Sequence, residues 1–205
     1  MKACATDFRF VLSLVSAQIL LYLTYQYPSV FWYLYTASIL FLVCFTLSSN
    51  SQNSRSSITG KNMLYGILSA ILLYAVFALG NELFSLLHFK SLAKDVSQLY
   101  KLYSPSALWQ FAVLFLILIP GEELFWRGFI QKKLSAAFTP LWTILTSAIL
   151  YSIPMLYAQN NALLLAGLAG GLMWGFLYQW KKSLFTVILS HMVFDFILLY
   201  LLPLH

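Results

Sequence analysis

The sequence has unusually few charged residues. They make up 9% of its 205 residues, whereas 61% are hydrophobic. Soluble globular domains carry about 25% charged residues, so this chain has too little polar surface to cover a water-soluble particle. Its apolar residues fall in long runs, close to the roughly 20 residues that cross the hydrocarbon core of a bilayer. The scarcity of charge therefore excludes a soluble domain and predicts a membrane protein.

Cysteine is scarce too, with two residues in the chain. Cys4 lies in the N-terminal tail and Cys44 in an apolar run, so both are interpreted as unpaired thiols. No Cys and His residues show the spacing of a structural zinc site. The sequence thus excludes a disulfide scaffold and a structural zinc site formed by Cys and His.

The formal net charge is +6, and most of the basic residues flank apolar runs. Basic residues at the ends of membrane spans report the orientation of the protein in the bilayer. The sequence has no basic stripe with interleaved exposed aromatic residues, so a nucleic-acid partner is not expected. The expected surroundings are those of the lipid bilayer.

Seven apolar segments predict an all-α fold, a polytopic membrane bundle of about seven transmembrane helices. The segments cover residues 10–25, 30–47, 63–89, 107–130, 141–157, 162–180 and 184–202. A Ser- and Asn-rich loop over residues 48–62 follows the second segment, and an amphiphilic loop over residues 90–106 follows the third. We therefore expect an N-terminal transmembrane hairpin and polar loop over residues 1–62, and a membrane core over residues 63–205.

The Lys and Arg residues divide unevenly between alternate connections of these segments. Nine lie on one face: Lys2, Arg9, Arg55, Lys61, Arg127, Lys132, Lys133, Lys181 and Lys182. Three lie on the other: Lys90, Lys94 and Lys101. Because cytoplasmic connections carry the excess of Lys and Arg, we expect a multi-pass cell-membrane protein with its N-terminus in the cytoplasm and its C-terminus outside. The first segment is expected to be a retained helix, since no cleavage site of a signal peptide follows it.

The chain has six acidic residues, and four of them lie at membrane depth. These four are Glu82, Glu122, Glu123 and Asp195. A charge inside a bilayer is costly, so each of them is a functional hypothesis. Glu82 lies near the outer end of the third segment and is expected to anchor that helix at the interface. The other three are candidates for chemistry.

Glu122 and Glu123 stand side by side near the end of the fourth segment. Adjacent residues on a helix point about 100° apart, so the two carboxylates cannot easily share one partner. Arg127 lies one turn after Glu123, which predicts an ion pair that anchors Glu123. Glu122 is then free to face another helix and is a candidate general base. The alternative is a charged helix end at the cytoplasmic interface.

His191 and Asp195 lie one turn apart in the seventh segment and share a helix face. An imidazole oriented by a carboxylate can bind a metal, donate to an oxyanion or shuttle a proton. The alternative is a helix–helix hydrogen bond that only stabilises the bundle. With the expected orientation, Glu122 and His191 both lie in the inner half of the membrane, so we expect them in one cavity open toward the cytoplasm.

These residues resemble the motifs of a protease family. Residues 122–127 read Glu-Glu-Leu-Phe-Trp-Arg, which looks like the first motif, Glu-Glu-x-x-x-Arg, of the CAAX protease and bacteriocin-processing (CPBP, Abi/Rce1-like) family of intramembrane proteases. His191 and Asp195 are similar to its last motif, His-x-x-x-Asn or His-x-x-x-Asp. The resemblance covers the chain from the fourth segment onward.

The resemblance implies an all-helical membrane core, in which the first glutamate and a histidine on the following helix activate the water that attacks a peptide bond. It makes Glu122 the base, and His191 with Asp195 the oxyanion or metal partner. Since an ionised Asp195 accepts hydrogen bonds and cannot donate one to an oxyanion, its expected part is to orient His191. The supporting residues are Glu123, Arg127 and Tyr151.

The middle motif of the family, Phe-x-x-x-His, is degenerate in this chain. Tyr151 stands at the aromatic position, and Met155 stands where the histidine belongs. Methionine has no titratable nitrogen and is a poor ligand for zinc. The expected cofactor is a divalent metal such as zinc, held by Glu122 and His191, or none.

Two functions are compatible with this pattern. The first is a membrane-embedded endopeptidase that hydrolyses peptide bonds near the cytoplasmic face with glutamate-activated water. The second is a catalytically impaired relative that uses the same cavity as a binding or regulatory scaffold. The expected partner is a membrane protein or peptide, with or without a lipid modification. A small transporter with a Glu/His proton relay is disfavoured, because no inverted repeat of broken helices is present.

Overall fold

The computed structural model of the chain describes residues 7–48 and 58–204. These residues form helices and turns without a strand, which confirms the predicted all-α fold. The longest helices are α1 Phe8–Gln26, α2 Phe31–Ser48, α3 Gly60–Leu86, α4 Lys90–Tyr103, α5 Leu108–Leu134, α6 Pro140–Ser152, α7 Asn161–Lys181 and α8 Leu184–Phe196. Lys2, Cys4 and Arg55, which enter the predictions above, lie outside the described residues.

Within the described residues, seven helical segments are long and apolar enough to cross a membrane. Four of them are α1, α3, α5 and α7. The other three contain α2, α6 and α8 and cover Pro28–Ser48, Pro140–Ala158 and Leu184–Leu201. The predicted number of spans is therefore confirmed, and the chain is a multi-pass membrane protein.

Helix α4 corrects one expectation, since the sequence analysis predicts a loop over residues 90–106. The helix covers Lys90–Tyr103. The side chains that it directs into the bundle are those of Val96, Leu99, Tyr100 and Tyr103. Spacings of three and four residues place them on one face of a helix. Asn160 donates its Nδ2 hydrogen to the backbone oxygen of Asp95 at 2.9 Å, and this bond ties α4 to the start of α7.

The two ends of the bundle differ in charge. We call the end that holds the α5–α6 and α7–α8 connections the basic end, and the opposite end, where α4 lies, the α4 end. The basic residues of those connections are Lys132, Lys133, Lys181 and Lys182. The ammonium group of Lys133 binds the carboxylate of Asp7, so the start of α1 is also at the basic end. This hydrogen bond holds the pKa of Asp7 below its usual value.

Helix α5 changes its winding on both sides of Glu122. Ile119–Phe125 is α-helical, while Leu114–Leu118 and Trp126–Gln131 have the wider π-helical hydrogen bonding. Pro120 has no N–H to donate to a carbonyl one turn earlier, which is consistent with the wider turn that precedes it. Such π segments are frequent at functional sites.

A glycine lets α2 approach α5 closely. A Cβ atom at Gly121 would lie 2.4 Å from Cγ2 of Ile39, so only a residue without a side chain fits there. The N-terminal hairpin therefore packs directly against α5, and residues on both sides of the predicted boundary at residue 62 share one bundle. The division of the chain at that boundary stays a prediction.

Candidate functional site

Glu122 is buried on α5 and accepts hydrogen bonds from two phenols. Glu122 is 7% exposed to solvent. Tyr35 of α2 donates to Oε1, and Tyr151 of α6 donates to Oε2 at 2.9 Å. Burying a carboxylate is costly unless donors replace the lost water, and the two phenols supply one donor to each oxygen. Glu122 therefore faces neighbouring helices, as the sequence analysis predicts.

Glu123 is fully buried and has a cationic partner on its own helix. Arg127 Nε lies 3.2 Å from Glu123 Oε2, which is the ion pair that the spacing of four residues predicts. The guanidinium of Arg127 also lies over the ring of Tyr151, with Cζ 4.4 Å from the ring centroid. Glu123 thus holds Arg127 against the face of the Tyr151 ring, and the hydroxyl of Tyr151 in turn binds Glu122.

His191 approaches Glu123 more closely than it approaches Asp195. Its Nδ1 lies 2.7 Å from Glu123 Oε1, a hydrogen-bond distance. Its Nε2 lies 3.7 Å from Asp195 Oδ2, which is too long for a hydrogen bond. The ring also stacks on Trp174, with centroids 3.7 Å apart and an interplanar angle of 23°. Glu123 and Trp174 therefore orient His191, whereas the sequence analysis expects Asp195 to do so.

A cavity of about 530 Å³ connects these groups. Five residues singled out by the sequence analysis line it: Glu122, Tyr151, Met155, His191 and Asp195. Most of the remaining lining is apolar or aromatic, and it includes Tyr35 and Trp174. The structure thus brings the motif residues of α5, α6 and α8 to one cavity.

The cavity extends from the middle of the bundle toward the α4 end. Its lining there includes Trp32, Phe84, Tyr100, Ser104 and Leu199. The orientation predicted from the Lys and Arg residues places the α4 end outside the cell. Under that orientation the expected opening toward the cytoplasm is wrong, because the cavity lies away from the basic connections. Glu122 is near the midpoint of its span, and His191 is in the basic-end half of its own.

Met155 fills the position of the missing imidazole with a thioether packed on α7. It lies in the 3-10 segment Ile153–Ala158 that continues α6. A Cβ atom at Gly167 would lie 1.9 Å from the sulfur of Met155, so the thioether rests directly on the backbone of α7. Met155 supplies no nitrogen to the cavity, and the phenols of Tyr35 and Tyr151 are the donors that reach Glu122 instead.

The arrangement does not fit the expected metal. Among the described residues no group of three or more His, Cys, Asp or Glu side chains is placed to hold a metal ion. Glu123 already binds both Arg127 and His191. Two ligands, Glu122 and His191, fall short of the three protein ligands that catalytic zinc sites use.

Sequence reasoning missed Tyr35 and Trp174. Tyr35 lies in an aromatic run of the second span, and nothing in its spacing distinguishes it from neighbouring Tyr33 or Trp32. Trp174 lies between Gly171 and Gly175, a pattern that indicates close helix packing more readily than a site. Both residues act across helices, so their part is visible only once the bundle is assembled.

One comparison with known proteins identifies the region of the site. Residues 104–197 match the model of the Rce1-like family, described as type II CAAX prenyl endopeptidase Rce1-like. This region covers slightly less than half of the chain and contains both the Glu122–Arg127 and the His191–Asp195 motifs. No curated protein and no solved structure matches the chain. The resemblance predicted from the motifs is confirmed for residues 104–197, the part of this multi-pass membrane protein that is similar to the Rce1-like family.

Proposed function

We propose that this chain is an intramembrane endopeptidase of the CAAX protease type, with Glu122 as the general base. The observation that carries the proposal is the placement of Glu122, whose carboxylate is buried at the inner end of the cavity and held by two phenols. An acidic group at membrane depth is costly and is retained for function as a rule. The substrate class is a membrane protein or peptide, with or without a lipid modification.

The chemistry assigned to Glu122 is proton transfer. Glu122 takes a proton from a water molecule while the water oxygen attacks the carbonyl carbon of the peptide bond. The same carboxyl then returns the proton to the nitrogen of the leaving amine. The reaction therefore consumes one water molecule and regenerates Glu122 as the base. Because the cavity extends from Glu122 toward the α4 end, the substrate enters from that end and is cleaved near the middle of the membrane.

His191 is assigned to the oxyanion. Its Nδ1 faces Glu123, so that in the protonated ring Nε2 carries the remaining hydrogen. A donor already oriented by Glu123 and Trp174 needs no rearrangement when negative charge develops on the carbonyl oxygen. Asp195, near Nε2, supports the cationic ring in this arrangement.

The second candidate function is a binding or regulatory scaffold, and Met155 favours it. A base that loses a neighbouring water-activating group loses about 10² to 10⁴ in rate. Both oxygens of Glu122 also accept hydrogen bonds already. An aromatic cavity of about 530 Å³ then holds an apolar segment of a partner without cleaving it.

The test compares Glu122→Gln with Glu82→Gln in the full chain. The readouts are cleavage of fluorescence-quenched peptides, with and without a prenyl group, and the cellular function of the native protein. The amide at position 122 cannot take a proton, so cleavage is expected to fall at least 10²-fold, while Glu82→Gln leaves it unchanged. A Glu122→Gln chain that retains the cellular function excludes the endopeptidase and supports the scaffold.

A further inference from the structure

The two hydrogen bonds on Glu122 come from different parts of the chain. Tyr151 lies within residues 104–197, the part that matches the family model, whereas Tyr35 lies in the N-terminal hairpin outside it. Each phenol occupies a different oxygen of the carboxylate. The hairpin therefore contributes a side chain, Tyr35, to the site.

We propose that Tyr35 is a positioning residue for Glu122, which it holds together with Tyr151 at the inner end of the cavity. The inference rests on the proposed function only in taking Glu122 as the base. The phenol of Tyr35 donates to one carboxylate oxygen and that of Tyr151 to the other, whereas the thioether of Met155 has no hydrogen to donate. The N-terminal hairpin thereby completes a site that the Rce1-like region leaves with a methionine in its middle motif.

The carboxylate needs hydrogen-bond donors because it is buried and largely removed from water. Desolvation penalises the charged form of a buried acid, and hydrogen bonds donated to that form offset the penalty. A hydrogen bond to an ionised group is about twice as strong as one between neutral groups. Without Tyr35, one oxygen of Glu122 would lose the hydrogen-bond donor that it has in the structure, and the side chain would be freer to turn.

The backbone places Tyr35 through a single close contact. Ile39 follows Tyr35 by one helical turn and packs against Gly121, the residue before Glu122. The ring of Tyr35 also packs on Phe31, with centroids 5.1 Å apart. The position of the phenol is thus fixed on both sides along α2, and the helix cannot shift without moving the Tyr35 hydroxyl away from Glu122.

Other ionisable groups surround Glu122 and are unchanged by the substitution that tests this inference. They are Tyr25, Glu123, Arg127, Tyr151, His191 and Asp195. Tyr25 is the matched control, because it belongs to the same hairpin and lines the same cavity; Tyr25 is buried and Tyr35 is partly buried. Among the described contacts its hydroxyl makes no hydrogen bond with Glu122.

The experiment measures how fast dicyclohexylcarbodiimide, an apolar carboxyl reagent, modifies Glu122 in the full chain in lipid vesicles at one fixed pH. Tyr35→Phe is expected to raise the rate about tenfold, because a carboxyl that has lost a charge-assisted hydrogen bond is held less firmly and meets the reagent more often. Tyr25→Phe should leave the rate unchanged, and Glu122→Gln should remove the modified peptide from the mass spectrum.

A second variant keeps the inference testable if Tyr35→Phe does not fold. A 3,5-difluorotyrosine at position 35 retains the ring and is a stronger donor, so modification of Glu122 should become slower than in the native chain. Equal rates for the native, Tyr35→Phe and difluorotyrosine chains would overturn the inference. If these rates change as expected while Glu122→Gln leaves function intact, Tyr35 positions Glu122 in a binding site and the endopeptidase proposal alone fails.

Discussion

At the scale of single residues, the site contains buried charged side chains that form ion pairs with one another. Arg127 is 2% exposed and Glu123 is 0% exposed, and the two form an ion pair. Breaking such a pair from one side leaves an uncompensated charge in an apolar interior. The pair therefore fixes the geometry of the cavity's inner end, because Glu123 also binds His191.

The residue-scale prediction is that Arg127→Met destabilises the chain by about 3–5 kcal/mol, the cost of leaving the Glu123 carboxylate buried without its cation. Arg127→Lys should be destabilising as well, since the planar guanidinium that lies over Tyr151 is lost. Unfolding of the purified protein in detergent measures both. Lys101→Met, on α4, is the control and should change stability little; a native-like Arg127→Met would contradict the role of the pair.

Local spacing made part of this site predictable. The ion pair between Glu123 and Arg127 follows from their separation by four residues, and the structure contains it. The hydrogen bond between His191 and Glu123 could not be predicted in this way, because 68 positions separate the two residues. The assignment of Asp195 as the residue that orients His191 failed for the same reason: a local partner was visible and the distant one was not.

At the scale of helices, contacts at small residues decide which side chains meet. The glycine at position 121 brings α2 against α5 and so brings Tyr35 to Glu122. Helix α4 was missed from the sequence because its many Lys, Ser and other polar residues favoured a loop, although its apolar residues recur at spacings of three and four. Its inward face becomes evident from packing against the other helices rather than from composition.

The helix-scale prediction concerns Gly121. Gly121→Ala places a methyl group 2.4 Å from Ile39, so α2 must move and stability should fall by about 1–3 kcal/mol. Modification of Glu122 by the carbodiimide should also become faster, since Tyr35 moves with α2. Gly80→Ala is the matched control, because nothing lies within 4 Å of a Cβ atom there; by helix propensity it should stabilise α3 by up to about 1 kcal/mol.

At the scale of the whole molecule, composition was sufficient for the fold class and for the number of spans. Long apolar runs with few charges leave a helical bundle as the available structure in a membrane, and the seven spans lie within a few residues of the predicted segments. The side on which the cavity opens was not predictable in the same way. It depends on whether the helices pack less closely at the basic end or at the α4 end, which is decided by tertiary packing.

The whole-molecule prediction concerns orientation. The excess of Lys and Arg at the basic end predicts that this end is cytoplasmic, with the C-terminus outside. Reporter enzymes fused to the C-terminus and inserted in the loop over residues 48–62 should then report opposite sides of the cell membrane. A cysteine introduced at Ser104 should react with a membrane-impermeant thiol reagent added outside, whereas one introduced at Ser135 should not. A reversed pattern would return the cavity to the cytoplasmic side.

The central claim is that Glu122 acts as the base of a cavity whose middle motif lacks its histidine. The most direct measurement is the peptide-cleavage rate of Met155→His, alone and combined with Glu122→Gln. Histidine at position 155 would add an imidazole to the cavity that contains Glu122, so the single variant should cleave at least as fast as the native chain. The double variant should lose this activity entirely, since an amide cannot accept the proton of water. Cleavage that persists in the double variant would show that Glu122 is not the base.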